Sequence, residues 1–125
     1  MAKNTVHMWS RSRSLVCSSP TTPASGDPVI CGQIPGVALI AEDTAGLTTV
    51  ALDGVFDLSV KGEGAGGNSA VAVGDILYYE AGQTPPINKD ATNGVRFGYA
   101  LAAVTSGATA TIAVDTDAGT TGTLQ

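Results

Sequence analysis

Three groups of residues in this 125-residue chain have types that can do chemistry. The first is GEGAGG, residues 62–67, a run whose backbone N–H groups, freed of side chains, could cradle a phosphate. A phosphate loop also needs a Lys-Ser or Lys-Thr and a helix opening behind it. Here NSAVAVG follows and Glu63 repels an anion, so the run is read as a loop between strands and ATPase chemistry finds no support. The second group is the nucleophiles. Serine or cysteine catalysis needs a base beside the nucleophile, and the only histidine, His7, lies in what reads as an N-terminal arm. Cys17 and Cys31 lack CxxC spacing and a second ligand pair, which excludes a zinc site and a redox motif; they are read as free, half-buried thiols, with a bridge as the alternative. The third group is the paired acids Glu42-Asp43 and Asp115 with Asp117. Both pairs fall at strand ends, where carboxylates face water, and no ladder of oxygen ligands surrounds them. No catalytic residue, no metal ligand and no cofactor is expected, and the chain is not read as an enzyme.

The elements that would position these groups are strands. No window places apolar residues at i, i+3, i+4 and i+7 over three turns, whereas period-two alternation recurs. PVICGQ (28–33), GVALIAED (36–43), LTTVALD (47–53), VFDLSV (55–60), DILYYE (75–80), RFGYALAAV (96–104) and ATATIAVD (108–115) are β-branched, aromatic or alternating runs bounded by turn residues. Gly46, Gly54, Gly74, Gly94 and Gly107 mark the reversals between them, and Asp53-Gly54 is read as the tight reversal or bulge inside VALDGVFDLSV. The fold class is therefore all-β: a small β-barrel or sandwich of about six to nine short strands with an extended N-terminal arm. Residues 1–27 are assigned to the arm and its Pro/Ser-rich connection, 28–115 to the barrel body and 116–125 to a polar tail.

Charge is divided along the chain. Residues 1–13 hold Lys3, Arg11 and Arg13 with no acid, and the rest sets Lys61, Lys89 and Arg96 against all 11 acids, so +3 and −8 make the net −5. An acidic body argues against nucleic acid as the main ligand, because phosphate neutralisation needs clustered Lys and Arg. No secretory signal or membrane-spanning run is found, and the chain is expected to be soluble and made in the cytoplasm. Aromatic residues are only 5% and glycines number 16, so little area is buried per residue and association with copies or partners would add stability. The segment TVHMWSRSR, residues 5–13, combines the only Trp with two Arg, types that anchor one protein on another. Thr5, Val6, His7, Met8, Trp9, Arg11 and Arg13 are the candidate interface residues, and the same alternation also suits a first strand that adds to a partner's sheet.

The order of motifs carries one further signal. MAKNTV, SGDPVICGQIPGVALIAED, VALDGVFDLSV, AVAVGDILYYEAG and NGVRFGYALAAVTSGATATIAV follow one another as in the small phage capsid decoration, or cement, proteins, which this chain resembles over nearly its whole length. Its leader, HMWSRSRSLVCSSPTTP, departs from the family's more usual Gly- and Leu/Thr-rich opening. The resemblance implies a β-rich subunit, often a homotrimer, synthesised in the host cytoplasm. It would sit on the outer surface of the virion head and clamp neighbouring major capsid proteins. Its partners would be the major capsid protein and itself, not nucleic acid or membrane. The alternative is a virion-displayed β-barrel binding carbohydrate or a host surface, with Tyr78, Tyr79 and Tyr99 as stacking residues.

Overall fold

The computed structural model describes residues 12–117. They form eleven strands: β1 (Ser12–Leu15), β2 (Pro28–Cys31), β3 (Ile34–Ala38), β4 (Thr48–Ala51), β5 (Asp53–Lys61), β6 (Glu63–Gly64), β7 (Gly67–Asn68), β8 (Ile76–Tyr79), β9 (Ile87–Asn88), β10 (Val95–Ala100) and β11 (Thr109–Asp117). The all-β expectation holds. The count exceeds nine because β6, β7 and β9 are two residues each, too short to show any period in the sequence.

Five strands close a barrel in the order β10-β11-β5-β9-β8, and four make a sheet in the order β1-β4-β3-β2. The barrel's longest ladder is β5 on β11, antiparallel from Asp53↔Asp117 to Lys61↔Thr109. Its register sets Phe56 opposite Val114, Leu58 opposite Ile112 and Val60 opposite Ala110, so the even positions of both strands turn inward while Val55, Asp57 and Ser59 turn out. Period-two apolar residues on both strands leave one register that buries both sets.

β3 is buried on both faces. Val37 joins the barrel core with Ile30, Leu77, Phe97 and Val114, and its neighbour Ala38 points the other way, into a smaller cluster with Cys17, Val29 and Val50. Gly36, two residues before Ala38 on the same face, lies so close to β4 that a Cβ would stand 2.6 Å from the Ala51 carbonyl oxygen and collide with Val50. The smaller cluster is roofed by the chain between β1 and β2. After pairing with β4, this chain crosses to the other edge of the sheet, where Ser18 N donates to the Ile30 carbonyl at 2.8 Å and Ile30 N to the Ser19 carbonyl at 2.9 Å.

Two features differ from the sequence reading. Asp53-Gly54 is no hairpin: β4 pairs with β1 and β3 and β5 with β11 and β9, so Leu52 and these two residues hand the chain from the sheet to the barrel. Gly54 bends it there at φ +135°, in a region closed to side chains. RFGYALAAV is not one strand either, since β10 stops at Ala100 and Leu101 is exposed. Of the segment assigned to the arm, Ser12–Leu15 is a sheet strand and Cys17 is buried.

Candidate interaction site

Thr5, Val6, His7, Met8, Trp9 and Arg11 lie outside the described residues. Arg13 is described. It sits on β1 opposite Val50 of β4, half-buried, and its Nη1 donates to the Ser12 carbonyl at 2.8 Å. β1 is the end strand of its sheet, with four antiparallel pairs from Ser12↔Ala51 to Leu15↔Thr48, so the chain before residue 12 enters the body at a sheet edge. This is the geometry from which a strand can be extended or lent to a neighbour.

The barrel wall places the tyrosines differently from a shared stacking surface. Tyr79 is interior, 4% exposed, with its ring stacked on Phe97 at 6.4 Å between centroids. Tyr78 and Tyr99 face outward, and a bulge explains the second. The β10–β8 register shifts between Arg96 and Gly98, which puts Phe97 and Ala100, three apart, in the core and Arg96 and Tyr99, also three apart, outside. The Arg96 guanidinium then lies 5.5 Å from the Tyr99 ring centre and donates to its hydroxyl. The three tyrosines therefore share no single face: Tyr79 lies inside the barrel, and Arg96 lies against the outward Tyr99. The signal in the sequence was Gly98, which sits inside the run RFGYA.

A cleft of about 310 Å³ lies beside Tyr79, lined among others by Ser19, Asp27, Gln83 and Pro86. The Tyr79 hydroxyl already shares a hydrogen bond with Ser19 Oγ at 3.0 Å, and burial raises its pKa, so it stands as a neutral phenol joining the sheet side to the barrel. No group of three or more His, Cys, Asp or Glu suited to a metal ion occurs among the described residues.

The carboxylates of the body serve loops. Asp75 Oδ2 accepts from Ala72 N at 2.8 Å and stands 3.1 Å from Lys89 Nζ, which also donates to the Ala70 carbonyl. Asp90 accepts from Thr92 N, Asn93 N and Asn93 Nδ2 at 3.0, 3.0 and 2.8 Å. Both pKa values are lowered from the ordinary 3.8, Asp75 first by the Ala72 amide and then by Lys89, Asp90 first by the Asn93 side chain. A carboxylate depressed in the folded state stabilises it above its unfolded pKa, and that contribution is lost as pH falls through the folded value. Urea midpoints are therefore expected to hold between about pH 7 and 5 and to fall from about pH 4 downward, and Asp75→Asn or Asp90→Asn should flatten the acid limb. A limb of unchanged slope in both variants would show that these loops do not set acid stability.

Apolar side chains stay exposed at two ends of the body. Val16, Leu39 and Ile40 are 67%, 43% and 53% exposed near the start of β4, where Leu15 opposes Thr48 and Leu39 N donates to the Thr49 carbonyl. Val73 and Leu101, 67% and 43% exposed, flank Ala100 at one end of the barrel. Leu39 and Ile40 fall inside the run GVALIAED, which the sequence predicts to be a strand, but β3 ends at Ala38, before them. The phage cement protein family model matches residues 11–124. Neither the curated proteins nor the solved structures offer a match. From its first described strand to its last, and over nearly the whole sequence, the chain belongs to the phage cement protein family, structural and non-enzymatic proteins that decorate and stabilise the capsid from the virion's outer surface.

Proposed function

We propose that this cement protein holds the head through its N-terminal arm, residues 5–13, which docks on the major capsid protein or on a sister subunit, while a homotrimer of bodies straddles adjacent capsomers. The observation that carries this is the division of charge and contact chemistry: the first 13 residues hold +3, Trp9 and two Arg, the remainder holds −8, and β1 delivers the arm at a sheet edge. Trp and Arg anchors each contribute about 2–4 kcal/mol when they seat in a partner. Several arms on one oligomer multiply that effect without new contacts. The exposed groups Val16, Leu39 and Ile40, and Val73 with Leu101, support association of the bodies.

The test is a chain lacking residues 2–11, which keeps Ser12–Leu15 and hence β1. Mixed with undecorated heads, it is expected to bind at least about tenfold more weakly than the full chain and to leave the heads no more heat-resistant than bare ones. Light scattering on the free proteins separates the two contacts, because an arm used between sisters also changes the oligomer. A shortened chain that coats and protects heads as the full chain does would overturn the proposal.

A further inference from the structure

Cys17 and Cys31 meet where the crossing chain closes over the sheet. Cys31 Sγ donates to Cys17 Sγ at 3.5 Å, across a separation of 14 in sequence. Cys17 is 6% exposed and packed with Val29, Ala38 and Val50, and the half-buried Cys31 packs against the same cluster. Of the two residues Cys31 is the more accessible. The backbone holds them on both sides: Ser18 N and Ser19 N donate to the Ile30 carbonyl at 2.8 and 3.3 Å, and Gly32 N donates to Ser18 Oγ at 2.7 Å. A bond of about 2.05 Å requires the sulfurs to close by about 1.5 Å, within reach of small side-chain rotations.

We propose that Cys17 and Cys31 are an oxidisable pair that closes to an intramolecular disulfide once the protein leaves the reducing interior of the host, fastening the segment that carries β1 to β2. The proposal is independent of how the arm docks. The oxidant is a low-molecular-weight disulfide. The Cys31 thiol, the accessible one, gives its proton to solvent and attacks one sulfur of the oxidant; that S–S bond breaks and one small thiolate leaves. Cys17, deprotonated in turn, attacks Cys31 Sγ in the mixed disulfide and expels the second small thiolate. Two protein thiols lose two electrons and two protons, and two small thiols are the reduced product. Burial, with the neighbouring Cys17, pushes the Cys31 thiol up to about 12, which slows the exchange at neutral pH, and the reducing interior of the host keeps the pair reduced during assembly. Oxidation then belongs to the released particle, in the compartment where disulfides persist.

The experiment treats the full-length protein with excess oxidised glutathione and, in parallel, with a phosphine reductant. The expected product is a monomeric chain whose intact mass is lower by two hydrogens, with both thiols lost to a thiol reagent. Closing a loop of this size lowers the unfolding equilibrium constant about a hundredfold, which is read from the urea midpoint of oxidised against reduced protein. Cys17→Ser is expected instead to retain one glutathione on Cys31, and a Cys17→Ala/Cys31→Ser double variant to show no oxidant effect. A stable glutathione adduct on the unaltered chain, a disulfide between two chains, or two thiols that persist in oxidant each overturn the proposal. A disulfide that forms without raising the urea midpoint overturns its fastening role.

Discussion

Gly98→Ala is expected to destabilise the barrel strongly. Gly98 opposes Thr116 across the β10–β11 ladder and Leu77 across β10–β8, at the bulge. A Cβ there would run into the Asp115 carbonyl oxygen and stand 3.0 Å from Thr116 Cα. Both obstacles are backbone, held by the ladder that joins β11 to β5 along its whole length, so no side chain can swing aside. Ordinary overpacking costs about 1–3 kcal/mol when side chains and backbone share the adjustment. Here the backbone must take all of it, and about 3 kcal/mol or more is expected, a large part of the 5–15 kcal/mol that folded domains typically hold. The control is Gly66→Ala, where an added Cβ meets nothing within 4 Å; it should shift stability by less than about 0.5 kcal/mol. Urea titration followed by far-ultraviolet circular dichroism measures both, and equal midpoints for the two variants would show that the close approach is not what holds the glycine there.

The second large effect comes from the adjacent residue through the opposite fault. Phe97, 1% exposed, is the largest fully buried side chain among the described residues, and the bulge aims it into the barrel against Tyr79. Phe97→Ala removes most of that ring, and a cavity of this kind costs about 3–5 kcal/mol. Phe97→Leu retains much of the volume and should cost nearer 1–1.5 kcal/mol. The thermal midpoint and soluble yield of the two variants test the ordering. If alanine and leucine proved equally mild, the barrel core would be able to collapse around the loss.

Most of the barrel was legible because its long strands obey one rule. Burial alternates along β5 and β11, and residue type follows it from Phe56 to Lys61 and from Thr109 to Ile112, with Val55 and Ala113 as apolar residues at odd, outward positions; a ladder with one buried face makes that pattern visible in the sequence. The bulge in β10 was not legible, since it breaks the same rule: Phe97 and Ala100 share an inside and Arg96 and Tyr99 an outside at a spacing of three. Asp53-Gly54 misled for a related reason. An Asp-Gly pair between two apolar runs is the signature of a hairpin, and only the long-range partners of β4 and β5 reveal that the two runs belong to different sheets. Of the candidate interface, the arm rests on residue types alone, Trp9, Arg11 and Arg13 beside an acidic body, and all but Arg13 of these lie outside the described residues. The exposed Leu39 and Ile40 were hidden inside a run indistinguishable from a buried strand, because composition cannot say where a ladder stops. The contact between Cys17 and Cys31 was out of reach for the same reason, as it depends on the crossing that brings Ser19 beside Ile30.

The four pairs that join β1 to β4 also have a mechanical meaning. Tension on the chain before residue 12, directed along the axis of β1, loads the Ser12–Ala51 to Leu15–Thr48 pairs in shear, so they must fail together. The same force applied across the sheet would peel them one at a time, at far lower load. A joint of this kind is strong in one direction only: the β1–β4 ladder meets a pull along β1 in its stiffest direction and a pull across the sheet in its weakest, so the docking proposed for the arm would bear load along that axis alone.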